Sequence, residues 1–237
     1  DMAAEWHYRE IEADVAKNHD YDAGHHRYTG EWVDVLRKQF KDAVDKDAKA
    51  YYDRFQEVID TYLSRRWAVA ARGRQGSLYD SPRTGLYNAR EPGLKLYSAK
   101  EEKTLKQADD LCVNEGNEKA CEVYDTFTAK RRLDWRQERD KELAAADKAM
   151  VRGYAEAVLW ARAWKVRVDA VDHAIARLAF FTEIIGNDKL REYTTGIKDP
   201  ATKADFVYQD NMFVGMRRGK TTDVNADILP SPLPISP

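Results

Sequence analysis

No apolar run in this 237-residue chain approaches the roughly 20 residues of a membrane-crossing helix, so no membrane span is expected. Linear motifs of the common enzyme classes are missing as well. There is no Gly-rich phosphate loop, no H-E-x-x-H, no Ser/His/Asp order and no Cys–His nucleophile pairing. Carboxylates are plentiful, but 34% of the residues are charged, and at that density carboxylates at helical spacing describe solvated faces. No catalytic residue and no cofactor is assigned on these grounds, and the protein is expected not to be an enzyme. An excess of one charge is lacking too. The net charge of −2 supplies none of the cationic surface that drives nucleic-acid binding.

Cysteine is scarce, with Cys112 and Cys121 the only two. A zinc site needs two further ligands close by, and none flank the pair, so no metal is assigned. The stretch His19-Asp-Tyr-Asp22-Ala-Gly-His25-His26 has metal-compatible residue types but no ligand spacing of known mechanism, and reads as a solvated loop. Strand-like alternation is rare. With a mean hydropathy of −0.73, what remains is a chain of long helical periods with much exposed surface. The fold class is therefore all-α: long extended helices, a cysteine-bracketed helical hairpin, an irregular loop and a Pro-rich C-terminal tail.

The chain opens on Asp1, which leaves room for a targeting peptide removed before it. Residues 1–30 form an aromatic and His-rich N-terminal segment, with a short helix over 5–17 aligning Trp6, Ile11 and Val15. An extended helical domain follows over 31–215. Its first helix is predicted over 31–72, where Trp32, Leu36, Phe40, Val44, Phe55, Ile59 and Trp67 recur every three to four residues. Residues 73–97 interrupt the pattern with Gly73, Gly76, Pro82, Gly85, Pro92 and Gly93, and read as a loop. Ser98 and Glu101 form a capping box that opens a helix over 98–113. A second arm runs over 117–185 with Gly186-Asn187 as its stop. The middle of that arm, Lys130 to Lys141, is almost wholly polar, as for a segment bridging solvent or lying on another protein. His173 sits near the apolar face of this helix and reads as a packed residue. Asp199-Pro200 starts a short helix to about Met212. Residues 216–237 form an extended tail ending in Ile228-Leu-Pro-Ser-Pro-Leu-Pro-Ile-Ser-Pro237.

Between the two hairpin helices, Asn114, Gly116 and Asn117 break the period, and eight residues separate the cysteines. So short a turn is expected to bring the cysteines within the roughly 4.4–6.8 Å Cα separation of a disulfide. Because the pair brackets a turn with no third ligand type beside it, a disulfide is favoured over two buried thiols.

Leu105-Lys106-x-Ala108-Asp109-Asp110-x-Cys112, then Cys121-x-x-Tyr124-Asp125, resembles the N-terminal cysteine hairpin of the small chloroplast regulator that ties phosphoribulokinase to glyceraldehyde-3-phosphate dehydrogenase in the dark. The resemblance is confined to residues 105–125. Val123-Tyr124-Asp125 stands where the family has Ala-Trp-Asp, and Lys130-Arg131-Arg132 replaces its acidic run. The family's second cysteine pair is absent. What the resemblance implies is a redox-sensitive hairpin at Cys112 and Cys121, with Tyr124 and Asp125 on its second helix, in a chloroplast.

Tyr79, Leu86, Tyr87, Leu94, Leu229, Leu233 and Ile235 lie in stretches with no periodic face to bury them, and are expected to bind a protein partner. The functional expectation is a non-enzymatic helical scaffold or linker subunit, joined to other protein subunits of a larger assembly. A plastid photosynthetic or carbon-fixation complex fits the resemblance. Two alternatives stand beside it: a redox-responsive regulator that binds a metabolic enzyme through the hairpin, and a periplasmic or virion structural protein.

Overall fold

The computed structural model describes residues 1–20, 28, 35–89 and 98–217, and these are helical almost throughout. Helix α1 is Met2–Asn18, α2 is Lys49–Thr61, α3 is Arg65–Tyr87, α4 is Ala99–Glu115, α5 is Glu118–Trp164, α6 is Asp169–Thr194 and α7 is Met212–Arg217. Two π-helical stretches, Val35–Phe40 and Asp42–Ala48, lead into α2. The sole β pairing among the described residues is an isolated bridge between Lys198 and Asp205. The chain is all-α, as its composition and periodicity predict. The Pro-rich tail lies outside the described residues.

Several boundaries depart from expectation. In α1 the buried face is Ala4, Tyr8, Ile11 and Val15, while Trp6 points outward. The run over 31–72 is not one α-helix. Leu36, Phe40, Val44 and Ala48 recur at every fourth residue, and the wider π-helical turn keeps that spacing on one face. A second break comes at Tyr62, which is extended, before Ser64 caps α3 by accepting from the Trp67 amide. Phe55, Val58 and Trp67 face the same core from both sides of this break, so the apolar stripe runs on unaltered across it. Likewise α5 ends at Lys165 in the left-handed conformation, and α6 starts anew at Asp169. Gly186 is a kink within α6 (φ 83°), not its stop. Asp199 does cap, but its carboxylate accepts from the Ala201 and Thr202 amides of a turn, and no helix begins until Met212.

The largest correction concerns residues 73–97. Residues 73–87 belong to α3, the most buried of the described helices. Gly73 and Gly76 serve contact, not turning. A Cβ on Gly153 of α5 would fall 2.7 Å from the Gly76 Cα, and one on Gly73 would fall 2.9 Å from the Ala170 Cβ of α6. Around this crossing, α1, α2, α3, α6, α7 and the C-terminal half of α5 enclose the main core, with Phe55, Leu78, Met150, Tyr154, Leu178 and Phe181 fully buried. A second cluster joins the end of α3 (Leu86) and the middle of α5 (Trp135, Leu143) to Tyr28, Val35, Leu36 and Phe40. Trp135 is fully buried, so the polar middle of α5 packs within this chain through one aromatic side chain.

Pro82 sits inside α3. A proline lacks the N–H that would bond the carbonyl four residues back, here that of Leu78. The freed carbonyl is met from outside the helix: His19 Nε2 lies 2.8 Å from the Leu78 oxygen, and His19 is completely buried. Because a carbonyl only accepts, Nε2 carries the proton. Burial lowers the His19 pKa, which keeps the imidazole neutral and holds that tautomer.

Two predictions test this arrangement. Gly153→Ala should lower stability although helix propensity alone would raise it by about 1 kcal/mol. Overpacking against a backbone costs typically about 1–3 kcal/mol and wins. A thermal midpoint at or above the parent's would show that the two backbones do not touch.

His19→Ala should cost about 1–3 kcal/mol in urea unfolding, by stranding a buried carbonyl. The penalty should shrink when Pro82→Ala restores an N–H at position 82, and equal penalties in both backgrounds would refute the pairing. The His19 contribution is present in full above its unfolded pKa of about 6.5. It is lost as the pH falls from there through the lower folded value, because the unfolded imidazole protonates first. His19→Gln, which keeps an N–H at the Nε2 position, should flatten that part of the pH dependence.

Candidate functional site

Two features stand apart from the cores: a two-helix arm and a polar cleft. The arm is built from α4 and the N-terminal part of α5. Ser98 and Glu101 form the capping box expected for α4, Gly116 ends it in the left-handed conformation, and the Asn117 side chain caps α5 by accepting from the Ala120 amide. Cys112 and Cys121 are joined in a disulfide with their Cα atoms 4.8 Å apart. Nearer the body, Arg131 donates to Glu101 at 2.7 Å. The ion pair and the disulfide keep the same antiparallel register. Between them only Leu105 and Ala108 are buried, with Ala120 buried beside the disulfide.

Helix α4 packs substantially on α5 alone among the described elements. Its cohesion therefore comes from a narrow apolar seam with an ion pair at one end and a covalent bond at the other. Leu111, Val113, Val123 and Leu133 are exposed on the arm, at 38, 72, 51 and 53%.

The residues singled out from sequence fall in different places. Tyr124 is half-buried and Asp125 exposed on the second helix of the hairpin, where the Thr128 hydroxyl bonds both of their carbonyls. Tyr79 is half-buried on the main core, its ring 6.4 Å from that of Tyr52. Leu86 is fully buried between α3 and α5, so it is not available to a partner. Pro82 and the glycines disguise the helix in the sequence, which is why Leu86 reads there as a loop residue. Tyr87 is half-exposed at the end of α3, with the guanidinium groups of Arg83 and Arg139 about 5 Å from its ring. Leu94, Leu229, Leu233 and Ile235 lie outside the described residues.

The cleft opens where α3, α5 and α6 meet near the end of α1. It has a volume of about 300 Å³ and is lined by Asp20, Arg74, Ser77, Asp80, Ser81, Thr84, Tyr154, His173 and Arg177. Asp80 is its centre. Arg177 donates to both carboxylate oxygens at 2.6 Å, Tyr154 donates to Oδ2 at 3.0 Å and Thr84 donates to Oδ1 at 3.2 Å. At the other wall, Arg74 bonds Glu12, Asp20 and Ser77. Burial and the adjacent Asp80 charge hold the Tyr154 hydroxyl protonated. His173 reaches Tyr154 from α6, with Nε2 3.3 Å from the phenol oxygen.

Periodicity could not reveal this cluster. Asp80 sits in the stretch that reads as a loop, and its partners come from two distant helices. The spacings of Asp80 and Thr84 on α3 and of His173 and Arg177 on α6, each one turn, are its local traces. No group of histidine, cysteine and acidic residues able to hold a metal ion occurs among the described residues.

No protein family matches this chain, and no curated protein or solved structure matches it either.

The arm's architecture makes a sharp prediction. Replacing both Cys112 and Cys121 with serine should remove about 2–3 kcal/mol of local stability on a chain-entropy account. Amide hydrogen exchange should accelerate over 99–131 and leave the α3–α6 body unchanged. Exchange that accelerates equally in both would mean that the arm and body fold as one unit.

Proposed function

We propose that this chain is a non-enzymatic helical scaffold or linker of a larger protein assembly, and that the stapled arm is what it offers to its partner. One observation carries the reading: α4 packs on little but α5, yet the arm keeps four large apolar side chains in water. Each such side chain left exposed forgoes roughly 1.5–3 kcal/mol of burial. Interface anchors are typically aliphatic or aromatic groups of this kind, surrounded by a polar rim. The long charged surface of α5 around Val123 and Leu133 supplies such a rim.

The disulfide favours a second reading. A staple at the far end of a thinly packed hairpin is placed where its reduction would loosen the partner-binding surface without disturbing the body. In that form the chain is a redox-responsive regulator of a metabolic enzyme, and the likeness of residues 105–125 to the chloroplast regulator's hairpin would place it in a plastid. A periplasmic or virion protein would make equal structural use of the same staple.

The test is incorporation of Val113→Asp/Val123→Asp into the native assembly, read by co-purification beside the unaltered chain. Loss of two buried anchors should weaken incorporation at least about tenfold, equivalent to roughly 1.4 kcal/mol, with helicity retained. Undiminished incorporation would remove the arm from the interface. Release of the wild-type chain by a dithiol reductant selects the regulator, and retention selects the static scaffold.

A further inference from the structure

The cleft around Asp80 has the features of a binding site for a small molecule, independent of the arm. Its charges are settled internally. Arg177 is held bidentate by Asp80, and Arg74 is held by Glu12 and Asp20. An anionic ligand would meet the Asp20 and Asp80 carboxylates, and a cationic one the Arg74 and Arg177 guanidinium groups, so neither sign is favoured by this lining. The charge balance selects an uncharged ligand.

The hydrogen-bonding capacity that remains is of two kinds. Asp80 can only accept, so the single Tyr154 proton is directed to Oδ2. The phenol oxygen therefore faces His173 as an acceptor, and His173 Nε2 must be the donor of that 3.3 Å contact. In the neutral ring this leaves Nδ1 with a lone pair, and no partner for it occurs among the described residues. Burial lowers the His173 pKa, so the lone pair persists at neutral pH. Thr84 has given its proton to Asp80 and keeps oxygen lone pairs on the cleft wall. Arg177 uses Nε and Nη2 for Asp80, and its Nη1 protons have no partner among the described residues.

Acceptors and a strong donor therefore line one small cavity. Ser77 and Ser81 share this wall of α3 with Thr84, the Ser77 hydroxyl being engaged with Arg74. Groups that both donate and accept match such a lining, and hydroxyls do so without net charge. A volume of about 300 Å³ stands at the lower end of small-molecule sites and suits a compact ligand.

We propose that this cleft binds a small, uncharged, polyhydroxylated ligand of monosaccharide size, with one ligand hydroxyl donating to His173 Nδ1 and another accepting from Arg177 Nη1. Tyr154 and Asp80 are positioning residues: they fix the His173 tautomer and the Arg177 orientation without needing to touch the ligand.

The full chain tests this by titration with D-glucose and with myo-inositol, with citrate and spermidine as charged probes. The readout is the imidazole resonances of His173 by NMR. A polyol is expected to shift them saturably, with a Kd on the order of 1 mM, while neither charged probe does. His173→Gln keeps an N–H toward Tyr154 but lacks the Nδ1 acceptor, and its binding is followed on the Tyr154 ring resonances. It should bind the polyol at least about tenfold more weakly, a loss of roughly 1.4 kcal/mol, while retaining the parent's thermal midpoint. Asp80→Asn, which frees the tautomer and leaves the Arg177 charge unbalanced, should weaken polyol binding and admit citrate. The proposal is overturned if neither polyol gives a saturable shift, if citrate or spermidine binds in its place, or if His173→Gln titrates like the parent.

Discussion

The contact of Gly76 with Gly153 sets the geometry of the whole body. Two helices usually keep their axes 8–10 Å apart because side chains stand between them. Here Gly153 meets the Gly76 backbone directly, with the Tyr154 ring lying against Gly76, and the Gly73 contact with Ala170 brings α6 in beside it. Once α3 lies this close to α5 and α6, its own side chains can reach either neighbour. That closeness is why a helix with so many charged residues can be central. Glycine weakens a helix by about 1 kcal/mol relative to alanine. Tertiary packing offsets that loss, and α3 would be a poor helix in isolation.

The charges of α3 are distributed, not clustered. Arg72 pairs with Glu156 of α5, Arg74 with Glu12 of α1 and Asp20, Asp80 with Arg177 of α6, and Arg83 with Asp147 of α5. Burial raises the Asp147 pKa even with Arg83 beside it, so this pair is not a simple source of stability. Breaking any such pair strands a charge, and a slipped register would break several together. The ion pairs thus fix which turn of α3 faces which helix, while apolar burial supplies the driving force. The His19 bond to Leu78 belongs to the same logic, since it ties the end of α1 to the one turn that Pro82 weakens.

Much of this was legible in the sequence, and the failures share one cause. Helical class, the capping box at Ser98 and Glu101, and the turn at Gly116 and Asn117 all follow from local rules, because each concerns residues within one turn of each other. So did the cysteine pairing. Gly73, Gly76 and Pro82 were misread because local rules treat them as breakers. Only the partner surfaces at Gly153, Ala170 and His19 show that they sit in a helix. The breaks at Tyr62 and Lys165 were hidden for the opposite reason. Apolar periodicity records which face is buried, and a chain that turns and continues along the same core keeps its stripe. The Asp80 cluster was beyond reach because its parts are separated by 74 residues between Asp80 and Tyr154 and by 97 between Asp80 and Arg177.

Arm and body are held by different physics, although α5 runs through both. The body draws on glycine-mediated approach, aromatic burial and ion pairs among several helices. The arm has one seam and one covalent bond. A helix pair of this length with so thin a seam would be marginal on its own. The disulfide sits at its free end, where fraying would otherwise begin, and the Glu101–Arg131 pair sits nearer the body. In between, α5 is continuous, with Trp135 buried at the point where arm gives way to body. The arm is rooted at that point: a tilt of α5 beyond Trp135 is borne by the second cluster, against Leu86 at the end of α3, before it reaches the main core. Leu86 lies on the same helix as Asp80, less than two turns further on. The end of α3 thus touches both the root of the arm and the wall of the polar cleft.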